Sequence, residues 1–346
     1  MFKRCFLYLW EECRPLSALC YTILISLGIL LSLETRHGIS IEYSADHPFL
    51  VIGPGVLVAA VTVLFLLVIY RAVYVLNDYG QDQIFYPQKP LVSGKIYRQD
   101  LIYLICSCGA GVIVVNLLWF FFSWSLLRHK FYTFPIIFLI VCFLFAFLLF
   151  RYWQHPKLAN VRKNIFLTFA VRALGDIFLG YYLVAFHLVA YRSFLALYSG
   201  EKIVIKLVTI LNMEHLYLIL LWILPAWAYR FSRGIVPPED ERLRVPTFSL
   251  LLGRQLVALV PILLLGVQLL MIFRLGGVLN LAPISVLAAI GFLALTTMFF
   301  IRYIYRPFRK IIRLLPYVVI FHFLMIAVIL FADYYLNVRH VAWKNI

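Results

Sequence analysis

Charged residues are scarce in this chain of 346 residues, at 13% of the sequence, whereas a soluble domain carries roughly a quarter. Hydrophobic residues make up 64%, and the mean hydropathy is +0.95. This composition excludes a soluble enzyme and a disordered chain. Apolar runs such as PIIFLIVCFLFAFLLF do not alternate with polar residues, which excludes a transmembrane β-barrel. The sequence therefore predicts an all-α integral membrane protein.

Cysteine is sparse as well, with six residues, and no two of them have the spacing of a zinc site or of a secreted disulfide framework. Cys106 and Cys108 lie two apart in an apolar run and are interpreted as packing residues. The N-terminal segment has no small-residue cleavage site after a short apolar core, and Glu11 and Glu12 interrupt it. We therefore predict that it is retained at the membrane interface and is not a signal peptide.

Nine apolar stretches are long enough to cross a membrane as helices of about 20 residues. They lie at 16–33, 50–76, 101–124, 133–152, 166–190, 204–229, 250–273, 277–301 and 314–336. The sixth is the least regular, because Lys206, Glu214 and His215 interrupt it. Neither a soluble domain nor a low-complexity linker separates the stretches, so we expect one transmembrane domain over 1–346.

The net charge of +16 is explained by the positive-inside rule. Nineteen basic residues are assigned to the N-terminal side of the membrane, counting Arg151 at the end of the fourth stretch, and eight are assigned to the other side. This asymmetry predicts a cytoplasmic N-terminus in the cell membrane and requires no nucleic-acid partner.

The first long cytoplasmic loop carries an unusual group of polar residues. It reads RAVYVLNDYGQDQIFYPQKPLVSGKI, from Arg71 to Ile96. Asn77 and Asp78 are expected to close an apolar helix, with Asp82 one turn further on, so that their oxygens share one face. Oxygen ligands of this kind suit Mg²⁺. The alternative is that Asn77 and Asp78 only cap and solvate a helix end.

This loop resembles the first signature of the UbiA family of intramembrane prenyltransferases, N-D-x-x-D-x-x-x-D followed by R-P-L/I-x-S-G. Asp82 stands where the last family aspartate stands, and Lys89 replaces the arginine before the proline. Gln81 occupies the position of the middle aspartate, and about three residues are deleted relative to the family pattern.

The second long loop, 233–253, resembles the second signature of the same family, D-x-x-x-D-x-x-x-G-x-x-T-L-x-x-x-L-G. Its tail is matched by Thr247, Phe248, Leu252 and Gly253. Asp240 stands at the second aspartate, whereas Val236 and Arg244 stand at the first aspartate and the glycine. The alternative interpretation is a solvated turn after two prolines.

The resemblance implies a UbiA-like helical bundle with a central cavity, whose motif loops lie at 77–100 and 230–249. It implies a Mg²⁺-dependent transferase that moves an isoprenyl group from a prenyl diphosphate to an aromatic or other small acceptor. The metal ligands it implies are Asn77, Asp78, Asp82 and Asp240, the last three also being catalytic. The diphosphate-binding residues it implies are Arg71, Lys89, Lys157, Lys163 and Arg172. A membrane terpene cyclase and a non-catalytic protein that binds lipid or a partner remain alternatives.

Further ionisable residues lie within the apolar stretches. Arg172 and Asp176 are four apart in the fifth stretch and can pair on one helix face. Such a pair either lines a substrate cavity or braces the bundle. Glu214 with His215 raises the same question. His322 and His187 are expected to be hydrogen-bonded core residues.

Overall fold

In the computed structural model the described residues are 2–9, 25, 48–85, 87–127, 144, 165–199, 211–235, 252–276, 281–306 and 308–344. Within these residues the protein is all-helical, with eight helices and no strand. They are α1 Phe2–Tyr8, α2 Pro48–Phe85, α3 Arg98–Leu127, α4 Ile165–Ser199, α5 Met213–Arg233, α6 Arg254–Gly276, α7 Pro283–Tyr305 and α8 Arg309–Lys344.

Five of these helices contain segments that are long and apolar enough to cross a membrane. The segments are Leu57–Leu76, Arg98–Trp119, Gln255–Gly276, Pro283–Tyr305 and Lys310–Asp333. They agree with five of the predicted stretches and support the assignment as a membrane protein. Ala173–His187 is a shorter apolar helical segment within the fifth stretch. The fourth stretch and most of the first lie outside the described residues, so nine crossings remain a prediction.

The chain forms two compact units. The first comprises 1–27, 47–162 and 185–207, and the second comprises 28–46, 163–184 and 208–346. Helix α4 contributes its N-terminal part to the second unit and its C-terminal part to the first.

In the first unit, α2 packs along α3 around a core of apolar side chains. The fully buried members of this core are Tyr8, Val68, Ala72, Val75, Ile96, Leu101, Leu104 and Cys108. A glycine permits the close approach, because a Cβ atom added at Gly111 would lie 2.7 Å from Cε2 of Phe65. Small residues have this role in many packed membrane helices. The short helix α1 also contacts α3.

In the second unit, helix α5 packs against α6 and α8, and α7 packs against both α6 and α8. Helix α5 begins where the side chain of Asn212 accepts a hydrogen bond of 2.7 Å from the backbone N–H of His215. At the start of α7, the carboxylate of Asp333 accepts a hydrogen bond from the backbone N–H of Ala282, with distances of 3.0 and 3.3 Å to its two oxygens. Side chains therefore satisfy backbone donors at both helix starts.

Candidate functional site

Helix α2 does not end at the first motif. It continues through Asn77 and Asp78 as far as Phe85, so the expectation that these two residues close the helix is wrong. No proline lies between Asn77 and the helix end, and the next one, Pro87, is two residues beyond that end. Proline lacks the N–H that would extend the helical hydrogen bonds. The interpretation of Asn77 and Asp78 as a helix cap is wrong for the same reason.

The unbroken helix places three of the predicted site positions on one face. Positions 71, 78 and 82 are separated by seven and four residues, and these intervals return to the same side of an α-helix. Position 77 lies about 100° around the helix from position 78, so it does not share this face. The register of α2 therefore groups Arg71, Asp78 and Asp82 and separates Asn77 from them.

Asp82 and Lys89, assigned to metal and diphosphate respectively, are in direct contact. The Nζ atom of Lys89 lies 2.7 and 2.8 Å from the two carboxylate oxygens of Asp82. Asp82 is buried, with 4% of its surface exposed, whereas the side chain of Lys89 retains 28%. A buried carboxylate is strongly destabilising unless it is paired. The lysine therefore provides the partner that this buried carboxyl group needs.

The loop after α2 folds back in a way that holds Lys89 in this position. The backbone N–H of Ser93 donates to the carbonyl of Lys89 at 2.9 Å, and that of Ile96 donates to the carbonyl of Pro90 at 3.2 Å. Gly94 has a φ of 74°, which glycine adopts without strain. The side chain of Ile96 is buried in the core of the first unit. The P-L-V-S-G-K-I part of the motif thus forms a compact turn.

The remaining predicted site residues are described only in part. Arg71 is half-buried on α2, with its guanidinium carbon 5.9 Å from the centre of the Tyr74 ring. Arg172 lies within α4, but its side chain is not among those described. Asp240, Lys157 and Lys163 lie outside the described residues.

The end of the second motif has a conformational explanation. Gly253 has a φ of 78°, and its carbonyl accepts a hydrogen bond of 3.1 Å from the backbone N–H of Val257 in the first turn of α6. A residue in the left-handed region is most easily glycine. The glycine that ends the motif therefore allows the turn into α6.

Asp176 binds residues of α5, which the sequence did not indicate. Its Oδ2 atom accepts hydrogen bonds from Nε1 of Trp227 at 2.8 Å and from Nη1 of Arg230 at 2.5 Å. Its Oδ1 atom lies 3.2 Å from Nη2 of Arg230. The described partners of Asp176 thus lie on another helix. Its predicted pairing with Arg172 stays a prediction, because the side chain of Arg172 is not among those described. Trp227 and Arg230 are three residues apart and share one face of α5, which lets both reach the same carboxylate.

Aromatic rings enclose the apolar side of this ion pair. The ring of Phe169 lies 5.2 Å from that of Trp227 in an edge-to-face arrangement and 4.9 Å from that of Phe231. The Arg230 side chain is 44% exposed, and that of Asp176 is 20% exposed. The site therefore holds a partly exposed guanidinium in a fixed position at the end of α5 that leads into the second motif loop.

His322 is a hydrogen-bonded core residue, as predicted. Its Nε2 atom lies 3.1 Å from Oε1 of Gln268, and its Nδ1 atom lies 3.3 Å from Oγ1 of Thr296. All three residues are at least 98% buried. His187 is buried against the ring of Phe186. Glu214 is exposed whereas its neighbour His215 is buried, so the two face different surroundings.

The hydrogen bonds of His322 and Gln268 extend to a backbone carbonyl that lacks its usual helical donor because of a proline. Pro225 lies inside α5 and has no N–H to donate to the carbonyl of Leu221, four residues earlier. Nε2 of Gln268 donates to this carbonyl at 3.1 Å. Since that amide group is the donor here, Oε1 of Gln268 accepts from Nε2 of His322, and Nδ1 of His322 accepts from Thr296. One chain of hydrogen bonds thus joins α5, α6, α8 and α7.

Among the side chains that the structure describes, no three His, Cys, Asp or Glu residues are grouped closely enough to hold a metal ion. Asp82 is among these side chains, whereas the side chains of Asp78 and Asp240 are not. Comparison with family models, with curated proteins and with solved structures finds no match for this chain. The resemblance to the UbiA family therefore rests on the two sequence motifs.

Proposed function

We propose that this protein is an intramembrane prenyltransferase with a UbiA-like bundle of nine helices and a cytoplasmic N-terminus, in the cell membrane. It transfers an isoprenyl group from a prenyl diphosphate to an aromatic or other small acceptor. The observation that carries the proposal is the face of α2 that groups positions 71, 78 and 82, with Lys89 bound to Asp82. A cation, two carboxylates and a second cation are the groups that a magnesium diphosphate requires.

The residues on this face fit a hard divalent cation. Asp78 and Asp82 are one helical turn apart, and Mg²⁺ is commonly bound through one or two carboxylates together with substrate phosphates and water. When bound, the metal would supply Lewis-acid stabilisation of the charge that develops on the departing diphosphate. Asp240 of the second motif is a further ligand in this proposal.

Lys89 has two successive partners in this proposal. In the free protein its ammonium group neutralises buried Asp82, with both oxygens within 2.8 Å. When a diphosphate enters, Lys89 can turn towards the phosphate oxygens, because its flexible stem and 28% exposure leave it room to move. The carboxylate of Asp82 is then released to act as a ligand. The ion pair thus holds both groups next to each other before the substrate arrives.

The bond that breaks joins C1 of the prenyl chain to the bridging oxygen of the diphosphate. Its electron pair leaves with the diphosphate, a new bond forms between C1 of the allylic carbocation and the acceptor, and the proton that the acceptor loses goes to the departing diphosphate. Arg71 and Lys89 stabilise the negative charge that grows on the leaving group. Apolar surroundings exclude water, which would otherwise quench the cation. Lys157, Lys163 and Arg172 are additional diphosphate contacts in the proposal.

The test is release of diphosphate by the purified full-length protein from labelled geranyl, farnesyl, geranylgeranyl and longer prenyl diphosphates with Mg²⁺. Asp78→Ala should abolish the release. Asp100→Asn is the control, since Asp100 is a carboxylate of the first unit outside the proposed site, where it pairs with Arg4. Absence of release with every donor, with and without an aromatic acceptor, would contradict the proposal. Release without an acceptor, together with a cyclic product, would indicate a terpene cyclase.

A further inference from the structure

Basic residues are concentrated in the turn between α7 and α8. Five of them occur within twelve residues, at Arg302, Arg306, Arg309, Lys310 and Arg313. The sequence contains no aspartate or glutamate from Arg242 to Ala332, so no acidic residue neighbours this turn along the chain. We name these five residues the basic turn.

The basic turn presents its charges outward. The side chains of Arg302, Arg306, Lys310 and Arg313 are all exposed. Among the described residues, no salt bridge involves any of these four side chains. The turn is therefore a strongly cationic surface that the described part of its own chain does not neutralise.

Exposed aromatic side chains accompany the charges. Tyr305 is 81% exposed, Tyr317 68% and Phe308 61%. Aromatic rings of this kind are enriched where a membrane protein meets the headgroup region, and rings and basic side chains together anchor helix ends there. The combination indicates a surface that contacts lipid headgroups and the adjoining acyl chains.

The backbone places this surface at the ends of two membrane-length segments. Pro283–Tyr305 ends at the turn, and Lys310–Asp333 begins just after it. The turn itself is tight, because the backbone N–H of Phe308 donates to the carbonyl of Arg306 at 2.8 Å, and those of Ile311 and Ile312 donate to the carbonyl of Phe308. If both segments cross the bilayer, the basic turn lies at headgroup level.

We propose that the basic turn, with Tyr305, Phe308 and Tyr317, is a docking surface for anionic phospholipid headgroups. The cations contact the phosphate and the net negative charge of the headgroup, and the three rings contact the upper acyl chains. A zwitterionic lipid presents the same phosphate with a compensating ammonium group, so the surface favours phosphatidylglycerol over phosphatidylcholine. Juxtamembrane clusters of four to eight basic residues commonly bind anionic lipid in this way.

The experiment uses the full-length protein in neutral detergent and measures binding of phosphatidylglycerol and of phosphatidylcholine by native mass spectrometry. The test variant replaces Arg306, Lys310 and Arg313 by glutamine. Each basic residue near a membrane surface contributes a factor of roughly five in affinity, so we expect the preference for phosphatidylglycerol to fall at least about fivefold. It should also weaken in 1 M salt, where the screening length is about 3 Å.

A matched control removes three exposed cations elsewhere, Lys3, Lys95 and Arg98, and should retain the preference. A second control replaces Arg306 and Arg313 by lysine, which keeps the charge. This variant should retain the preference for phosphatidylglycerol that the glutamine variant loses. An unchanged preference in the glutamine variant would overturn the proposal. Equal losses in both triple variants, or full displacement of the lipid by inorganic phosphate, would overturn it as well.

Discussion

The two units of the molecule stabilise their buried polar groups differently. In the first unit, Asp82 and Asp100 are both buried carboxylates, and each binds a basic side chain that retains contact with water. In the second unit, Gln268, Thr296 and His322 are buried polar residues within three membrane-length segments, and they bind one another. These two carboxylates are neutralised by ion pairs, whereas the three neutral groups share hydrogen bonds with one another. The buried Asp333 of the second unit has a third solution, since it accepts from the backbone N–H of Ala282.

The difference follows from where each group lies along its helix. Asp82 lies beyond Leu57–Leu76, and Asp100 lies at the start of Arg98–Trp119, so a lysine or arginine stem can reach each from the membrane surface. Gln268, Thr296 and His322 lie near the middle of their segments, where a charge is far more expensive than a hydrogen-bonded neutral group. The buried carboxylates at the segment ends can therefore be reached by a cation from the membrane surface, whereas the buried neutral groups in the middle of the segments hold neighbouring helices together.

The largest effect that we expect concerns the ion pair of the first unit. Replacing Lys89 by methionine removes one cation from the proposed diphosphate site and leaves Asp82 buried without this partner. Loss of one group that stabilises developing charge reduces turnover by about 100-fold or more. The measurement is diphosphate release under saturating Mg²⁺ and donor.

Its control is Lys89→Arg, which keeps the charge and should retain a substantial part of the activity if charge is what matters. Equal turnover in the wild type and in Lys89→Met would place Lys89 outside the reaction and leave it a purely structural partner of Asp82. The buried ion pair of the first unit would then have no role in the reaction.

The second effect concerns the hydrogen-bonded neutral residues of the second unit, Gln268, His322 and Thr296. Replacing Gln268 by leucine removes its bonds to the carbonyl of Leu221 and to His322, so two buried polar groups lose a partner. The expected loss of stability is about 1–2 kcal/mol. Thermal unfolding in detergent, followed by tryptophan fluorescence, measures it.

A second substitution tests whether Gln268 compensates for the backbone N–H that Pro225 lacks. Pro225→Ala supplies the N–H that the carbonyl of Leu221 lacks, so Gln268→Leu should be less destabilising in this background than in the wild type. The double-mutant cycle isolates this coupling. Strictly additive effects would show that Gln268 does not compensate for the proline.

The sequence predicts local features of this molecule better than its long-range contacts. The length of the apolar runs is enough to place five membrane-length helices, because each needs only its own residues. The interval of four between Arg172 and Asp176 predicts a pair within one helix, but it gave no indication of the partners on α5 that the structure shows for Asp176. Which helix supplies a partner depends on packing, and packing is not encoded in one segment.

The candidate site shows the same limit. The motif from Arg71 to Ile96 identified Asp82 and Lys89 as functional candidates, but it did not indicate that they bind each other. The helix was expected to end at Asp78 because polar residues begin there. It continues to Phe85, since helix geometry tolerates these residues and nothing before Pro87 interrupts it.

A third, smaller effect concerns the other ion pair of the first unit. Nε of Arg4 binds Asp100 at 2.7 Å, and this hydrogen bond raises the pKa of the Arg4 guanidinium. Nearby Cys5 is buried, and this burial raises the pKa of its thiol. Arg4→Met should loosen α1 from α3 and expose the buried Cys5 thiol. Cys5 should therefore react with maleimide several times faster than in the wild type, even though loss of the Arg4 charge by itself would raise the pKa of the thiol.

Peptide mapping of the labelled protein separates Cys5 from the other cysteines, and exposed Cys106 serves as the internal reference. The melting temperature should fall as well, because Asp100 is left buried without its cation. An unchanged labelling rate for Cys5 would show that the ion pair does not hold α1 in place.

The smallest effect concerns a neutral pair within the first unit, which tests whether the contrast depends on position or on the unit itself. Nδ2 of Asn116 donates to Oγ1 of Thr62 at 2.9 Å and to the carbonyl of Val112 at 2.8 Å. Asn116 and Thr62 lie within membrane-length segments, as Gln268 does. The carbonyl that Asn116 binds is that of Val112, and residue 116, four positions later, is not a proline. Asn116→Leu should therefore lower stability by only about 0.6 kcal/mol, the average for one hydrogen bond between membrane helices. If Asn116→Leu destabilises the protein as much as Gln268→Leu does, the carbonyl of Leu221 that Pro225 leaves without a partner does not account for the larger effect expected at Gln268.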